Sequence, residues 1–244
     1  MALRNPILYG SRFDRASDQG YRESMTLAGT AGKALILTVL LVASAAYTWY
    51  LFVNGKDVGG FLKVGVIGSL LISLPTIFFP RISPVTAPLY AIVNGLLLGA
   101  ISAIAQSSYP GIVMNAILIT FSLFLITLFL YATRIIRVTP GLVTAIGIAT
   151  LAIALTYLLN FVLGIFGMSV PYIQDTGWIG IGISVFIIFV ATSNLLIDFS
   201  NIEQYANEGC PKYMEWYGAF GLLVTIIWMY LEILRLLTKL ASRN

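Results

Sequence analysis

Histidine is absent from all 244 residues, cysteine occurs once, and charged side chains make up only 10% of the chain. Each shortage excludes something. Without histidine there is no HExxH-type zinc site and no Ser–His or Cys–His catalytic pair. The usual switch near neutral pH is also missing, so a pH response there must come from a carboxylate with a shifted pKa. The single Cys210 allows no internal disulfide and gives no sign of a secreted, oxidising compartment. A soluble domain carries about 25% charged residues. With 59% hydrophobic residues and a mean hydropathy of +0.92, this chain is an integral membrane protein, and the lipid bilayer is its first partner. There is no basic run, no GxxxxGK[ST] loop and no metal-ligand cluster. Nucleic acid is therefore not an expected partner, no cofactor is expected, and the net charge of +4 reads as basic loops on one side of a membrane.

What is present is a series of charge-free runs. Residues 1–32 form a polar N-terminal arm with Arg4, Arg12, Arg15 and Arg22, too long for the n-region of a signal peptide and followed by a run long enough to span, so no cleavage is expected. Ala34–Val53 is the first span and Val64–Pro80 the second, starting a few residues earlier. Ile82–Thr133 is 52 residues without a charge and divides at "QSSYPG" (106–111) into spans near 84–105 and 111–133. The fifth lies within Val138–Gln174; a helix over Gly141–Met168 would be roughly 42 Å long and would have to tilt. The sixth covers about 177–197 and the seventh Tyr213–Lys239. The expected fold is an all-α, seven-transmembrane-helix bundle, with the membrane domain over 33–240 and a short tail at 241–244. Seven spans place the termini on opposite sides. The N-terminal side holds Arg4, Arg12, Arg15, Arg22, Lys33, Arg81, Arg134, Arg137 and Lys212; the other holds Lys56, Lys63, Arg235, Lys239 and Arg243. The positive-inside rule predicts a cytoplasmic N-terminus. Small residues recur, as in "GLLLG" (95–99) and "WIGIG" (178–182), where they let helices approach within the bundle.

An ionisable group at membrane depth costs a few kcal/mol by insertion scales and is a candidate for function. Asp198 comes at the end of the sixth apolar run, in "NLLIDFSNIE", and "SNIE" after it reads as a capping box from Ser200 to Glu203 that would start a new helical turn. Glu215 falls in the first turn of span seven, where a negative charge is favoured. Glu232 lies deep in "MYLEILRLL" with Arg235 at i+3, which predicts a local ion pair. Arg81, in "FFPRISPVTAP", is surrounded by Pro80, Pro84 and Pro88, which break the helix and can let a charge line a polar cavity. Its expected partner is Asp198, on the same side of the membrane.

Residues 194–240 resemble the transmembrane Bax inhibitor motif (Bax inhibitor-1-like) family, in its bacterial branch. "LLIDFSNIE" resembles the aspartate-bearing end of the family's sixth helix, and "LLVTIIWMYLEILRLL" (222–237) resembles its last helix. "APLYAIVNGLLLGAIS" (87–102) resembles the third. The resemblance implies seven spans, a bacterial plasma membrane, calcium leak, and protection against stress. It also implies a pH sensor made of two aspartates on the sixth and seventh helices, with an arginine on the second competing for one of them. Asp198 matches the first aspartate and Arg81 the arginine. Thr225 stands where the second aspartate falls and cannot ionise. Glu215, ten residues earlier, is the expected substitute; Glu232, seven residues later, lies about 10 Å along the axis, too far to share a proton.

Two functions follow from this reading. One is a pH-influenced leak for calcium or other cations, gated near Asp198 with Glu215 and Arg81, where calcium is held only transiently; one or two acids give oxygen ligands without a tight site. The other is a membrane interaction protein that regulates another membrane protein, such as a quality-control protease, through the arm and "EQYANEGCPKYMEWYG" (203–218). An enzyme is not expected: a GxGD aspartyl-protease motif is absent, and Lys239 lies at the end of its span, where a retinal-binding lysine would not be.

Overall fold

The computed structural model describes residues 24–167 and 177–243. Most of the polar arm, with Arg4, Arg12, Arg15 and Arg22, lies outside the described residues, as does the end of the fifth apolar run beyond 167. Seven helices are long and apolar enough to cross a membrane. They are α1 (Leu27–Val53), α2 (Gly59–Phe78), α3 (Ser83–Ser108), α4 (Ile112–Ala132), α5 (Pro140–Ile165), α6 (Trp178–Asn207) and α7 (Met214–Ala241). Among the described residues there is no sheet, only an isolated bridge between Ser24 and Pro211. Because the helices alternate in direction, the starts of α1, α3, α5 and α7 share one side, called here the arm side; the other is the far side.

The boundaries follow local chemistry. Thr26 caps α1 by accepting from the Gly29 N–H at 2.9 Å, and Thr139 caps α5 from the Leu142 N–H at 3.3 Å, with Pro140 in the first turn. The arm side of α4 ends in a Schellman turn: the Arg134 N–H reaches Tyr131 O at 3.0 Å and the Ile135 N–H reaches Leu130 O at 3.1 Å. The residue in the left-handed position there is Arg134 itself, at φ 58°, where glycine is usual.

Three boundaries differ from the sequence reading. Helix α1 begins at Leu27, inside the stretch whose composition reads as arm, because Thr26 supplies the cap that starts it. Helix α6 does not stop near 197 but runs unbroken to Asn207, so "SNIE" is helix interior and not a capping box. Its backbone N–H groups already bond within the helix, which leaves Ser200 nothing to cap. At 79–82 the chain does break, into a 3₁₀ turn over Pro80–Ile82, but Pro84 sits in the first turn of α3 and Pro88 is carried inside it.

Helix α7 is the centre of the bundle, packed against α1, α3, α4 and α6, while α2 leans on α3 and α5 on α6. One apolar cluster joins α1, α3 and α7 through Leu37, Leu98 and Leu223; a second joins α4, α6 and α7 through Ala116, Leu195 and Met229. The "GLLLG" stretch explains how α3 comes so near α1. A Cβ on Gly95 would overlap Ser44 Oγ and the Leu41 carbonyl, and one on Gly99 would overlap the Ala45 carbonyl. These glycines serve packing inside the bundle, as the small-residue spacing predicts.

Candidate functional site

Asp198 lies nine residues before the end of α6, about 14 Å in from the arm-side terminus. It is half-buried and faces α7. Its Oδ2 accepts a hydrogen bond from the Thr225 hydroxyl at 2.6 Å. Thr225, where the resemblance leads one to expect an acid, is the side chain that meets Asp198. A carboxylate has about four acceptor positions. Thr225 fills one of them, and Oδ1 has no hydrogen-bond partner among the described residues. One turn away, Asn194 donates to Thr150 Oγ1 on α5 at 2.8 Å, so polar side chains continue along the same stretch of α6.

The other candidates are placed elsewhere. Arg81 is exposed in the turn between α2 and α3, and the partner of Asp198 among the described residues is Thr225, not Arg81. The expected pairing fails because the turn holds Arg81 at the arm-side border, while the continuous α6 carries Asp198 deeper. Glu215 does not substitute for a second acid at Asp198. Its side chain is fully buried at the start of α7, where it accepts from the Thr26 N–H at 3.0 Å and the Thr26 hydroxyl at 2.9 Å. It forms an ion pair with Lys33 of α1, and Lys212 approaches at 3.4 Å. A Cβ on Gly29 would overlap the carboxylate that these bonds hold in place, so the glycine is what lets Glu215 come this close to α1. With the bond from the Met25 N–H to Cys210 O at 2.7 Å, this forms a latch between the start of α1 and the α6–α7 turn.

On the far side, Glu232 pairs with Arg235 at 3.0 Å, as the i+3 spacing predicts. The third member is Tyr157 of α5, which donates to Glu232 Oε1 at 2.5 Å and accepts from Arg235 Nη1 at 2.5 Å. Sequence reasoning misses Tyr157, because nothing local marks a tyrosine whose partner lies 75 residues away. It also misses Lys239, which is buried and donates to Gly180 O at 2.9 Å and Ser184 Oγ at 3.0 Å. A further polar group lies at the arm-side end of α6: Glu203 accepts from Tyr131 and pairs with Arg134 at 2.6 Å. The charges that end "YATR" (131–134) and "SNIE" (200–203) are the only hint of it in the sequence.

Among the described residues no three Cys, Asp or Glu side chains come together as a metal-holding group. The arrangement around Asp198 can attract a passing cation with one carboxylate; it offers no cage in which to keep one. A sequence model of the family described as Bax inhibitor 1 like matches residues 5–242. No curated protein matches the chain, and no solved structure does.

Proposed function

This chain belongs to the Bax inhibitor 1 like family, and from that premise we propose that it is a pH-influenced cation leak, with calcium as the expected cargo and Asp198 at its gate. The observation that carries the proposal is the Asp198–Thr225 contact between α6 and α7. A carboxylate inside a helix bundle is costly and is kept for a use. Held by one hydroxyl, it has acceptor capacity left for water or a cation. Losing or gaining a proton there changes the charge at the junction of the two helices, and that change is what would link pH to passage. Thr225 orients the carboxylate without competing for its charge, so a single acid titrates here, where the family's pattern has two. The arm side faces the cytoplasm in this reading, on the excess of Lys and Arg there.

The test is calcium flux into liposomes that hold the purified protein, from about pH 5 to 8, comparing wild type with Asp198→Asn. Flux above that of empty liposomes, with a pH dependence that disappears in the variant, is the expected result. Absence of flux at every pH sinks the leak reading. Flux whose pH profile is unchanged in Asp198→Asn keeps a leak but removes Asp198 from its gate.

A further inference from the structure

Two cavities of opposite character meet in this molecule. The first is a crevice of about 1120 Å³ whose facing walls are α1, from Leu27 to Val53, and α4, from Val113 to Tyr131, with α3, α6 and α7 as its floor. Its walls are almost entirely apolar. The α4 wall alone extends about 27 Å at 1.5 Å per residue, close to the roughly 30 Å of a bilayer's hydrocarbon core. The second is a polar cleft of about 550 Å³ at the arm-side ends of α4 and α6, lined by Arg134, Arg137, Ser200, Glu203, Gln204 and Glu208 among others. Tyr131 and Glu203 line both, so the apolar crevice opens into the polar cleft at the level where headgroups lie.

We propose that this composite cavity seats one zwitterionic phospholipid, an acyl chain in the crevice and its headgroup in the cleft. A flexible hydrocarbon chain can follow the apolar walls and gain dispersion contacts along their whole length. The cleft decides which lipid. It carries two guanidinium groups, Arg134 and Arg137, and two carboxylates, Glu203 and Glu208. A phosphate alone would meet the arginines but face the carboxylates uncompensated. A phosphate with a primary amine attached satisfies both signs, and the amine donates to carboxylate positions that Tyr131 and Arg134 leave unfilled on Glu203. The Arg134 side chain meets Glu203 in this cleft. Arg137 is exposed and forms no ion pair with a described residue, which leaves it available to a phosphate.

The experiment is native mass spectrometry of the full chain in detergent, incubated with equimolar phosphatidylethanolamine and phosphatidylglycerol. One phosphatidylethanolamine per chain should be retained in preference. Ala46→Trp, which narrows the crevice from α1, should lower retention of both lipids about tenfold, while Ile148→Trp on the outward face of α5 should leave it unchanged. Glu203→Gln should reverse the preference toward phosphatidylglycerol. If Ala46→Trp fails to fold, the exposed Arg137→Gln serves in its place, with retention several-fold lower. Preference of the wild type for phosphatidylglycerol, equal retention of the two, or retention indifferent to Ala46→Trp and Arg137→Gln would each overturn the proposal. A preference that Glu203→Gln leaves untouched would do the same. So would a lipid-free dimer, which would assign the crevice to a second copy of the chain.

Discussion

Thr225 shows how one hydroxyl brought from a neighbouring helix can hold a carboxylate inside a bundle. Its hydroxyl gives Asp198 one hydrogen bond, and Thr225→Val would remove it without changing the shape of the side chain much. The expected cost is about 1–3 kcal/mol, since hydrogen bonds to charged groups are at the strong end, and it is read as a lower midpoint in unfolding from detergent. Thr225→Asp would place two acids at this contact. The flux assay should then show a pH profile with two apparent steps, as coupled carboxylates give. A single step in that variant would mean that the two side chains do not share the contact in the working protein. Asp198 is legible from sequence, because a charge ending an apolar run is conspicuous. The resemblance points to position 225 opposite Asp198 but not to a hydroxyl that donates there, and the role of Gly29 is not legible at all, since it depends on a residue brought from another helix.

Helix α7 and the start of α1 are joined by the latch of Thr26, Lys33 and Glu215, and Cys210 reports on it. The Cys210 thiol is buried in the α6–α7 turn, and its pKa is pushed up to about 11, by burial first and by the nearby Glu208 charge second. A raised thiol pKa means that the reactive thiolate is scarce below that value and grows as pH rises toward it. Maleimide labelling of the native protein near neutral pH should therefore be slow. Glu215→Gln removes the ion pair with Lys33, which keeps some solvent exposure, at an expected cost of about 1–3 kcal/mol, and labelling of Cys210 should accelerate as the latch opens. Unchanged labelling would mean that the α6–α7 turn holds without Glu215. The sequence reading places Glu215 at the right helix terminus but assigns it the wrong company: the helix-end preference is local, whereas Lys33 and Thr26 arrive only when α1 packs on α7.

Across the whole molecule the charges sort by side. Arg81, Arg134 and Lys212 mark the arm side, and Lys56, Arg235 and Lys239 mark the far side. Orientation can be checked with single cysteines in a Cys210→Ser background. With the arm side in the cytoplasm, Arg137→Cys should resist a membrane-impermeant maleimide in intact cells, and Ser108→Cys, exposed at the far end of α3, should react. The reverse pattern would invert the topology. The far side also contains the Tyr157–Glu232–Arg235 group, which ties peripheral α5 to central α7. One end of that tie, the i+3 pair, is legible in the sequence; the other is supplied by the packing of α5.

Hydrophobicity and charge spacing by themselves determined that this protein is membrane-embedded, that it has seven helical spans, and where most of them begin and end. Those properties depend on transfer of side chains and on hydrogen bonds within single helices, both of which are local. That Gly95 and Gly99, one turn apart on one face, permit a close helix approach was also legible; that the neighbour is α1 was not. Only the tertiary structure decided that α6 carries Asp198 inside the bundle, that Thr225 is its partner while Glu215 belongs to a latch, and that a crevice between α1 and α4 opens into a charged cleft. Nearly uniform apolar spans carry little information about which face of one helix meets which face of another. That choice is made by packing, by the few polar groups that must be paired once helices meet, and by the glycines that permit the approach.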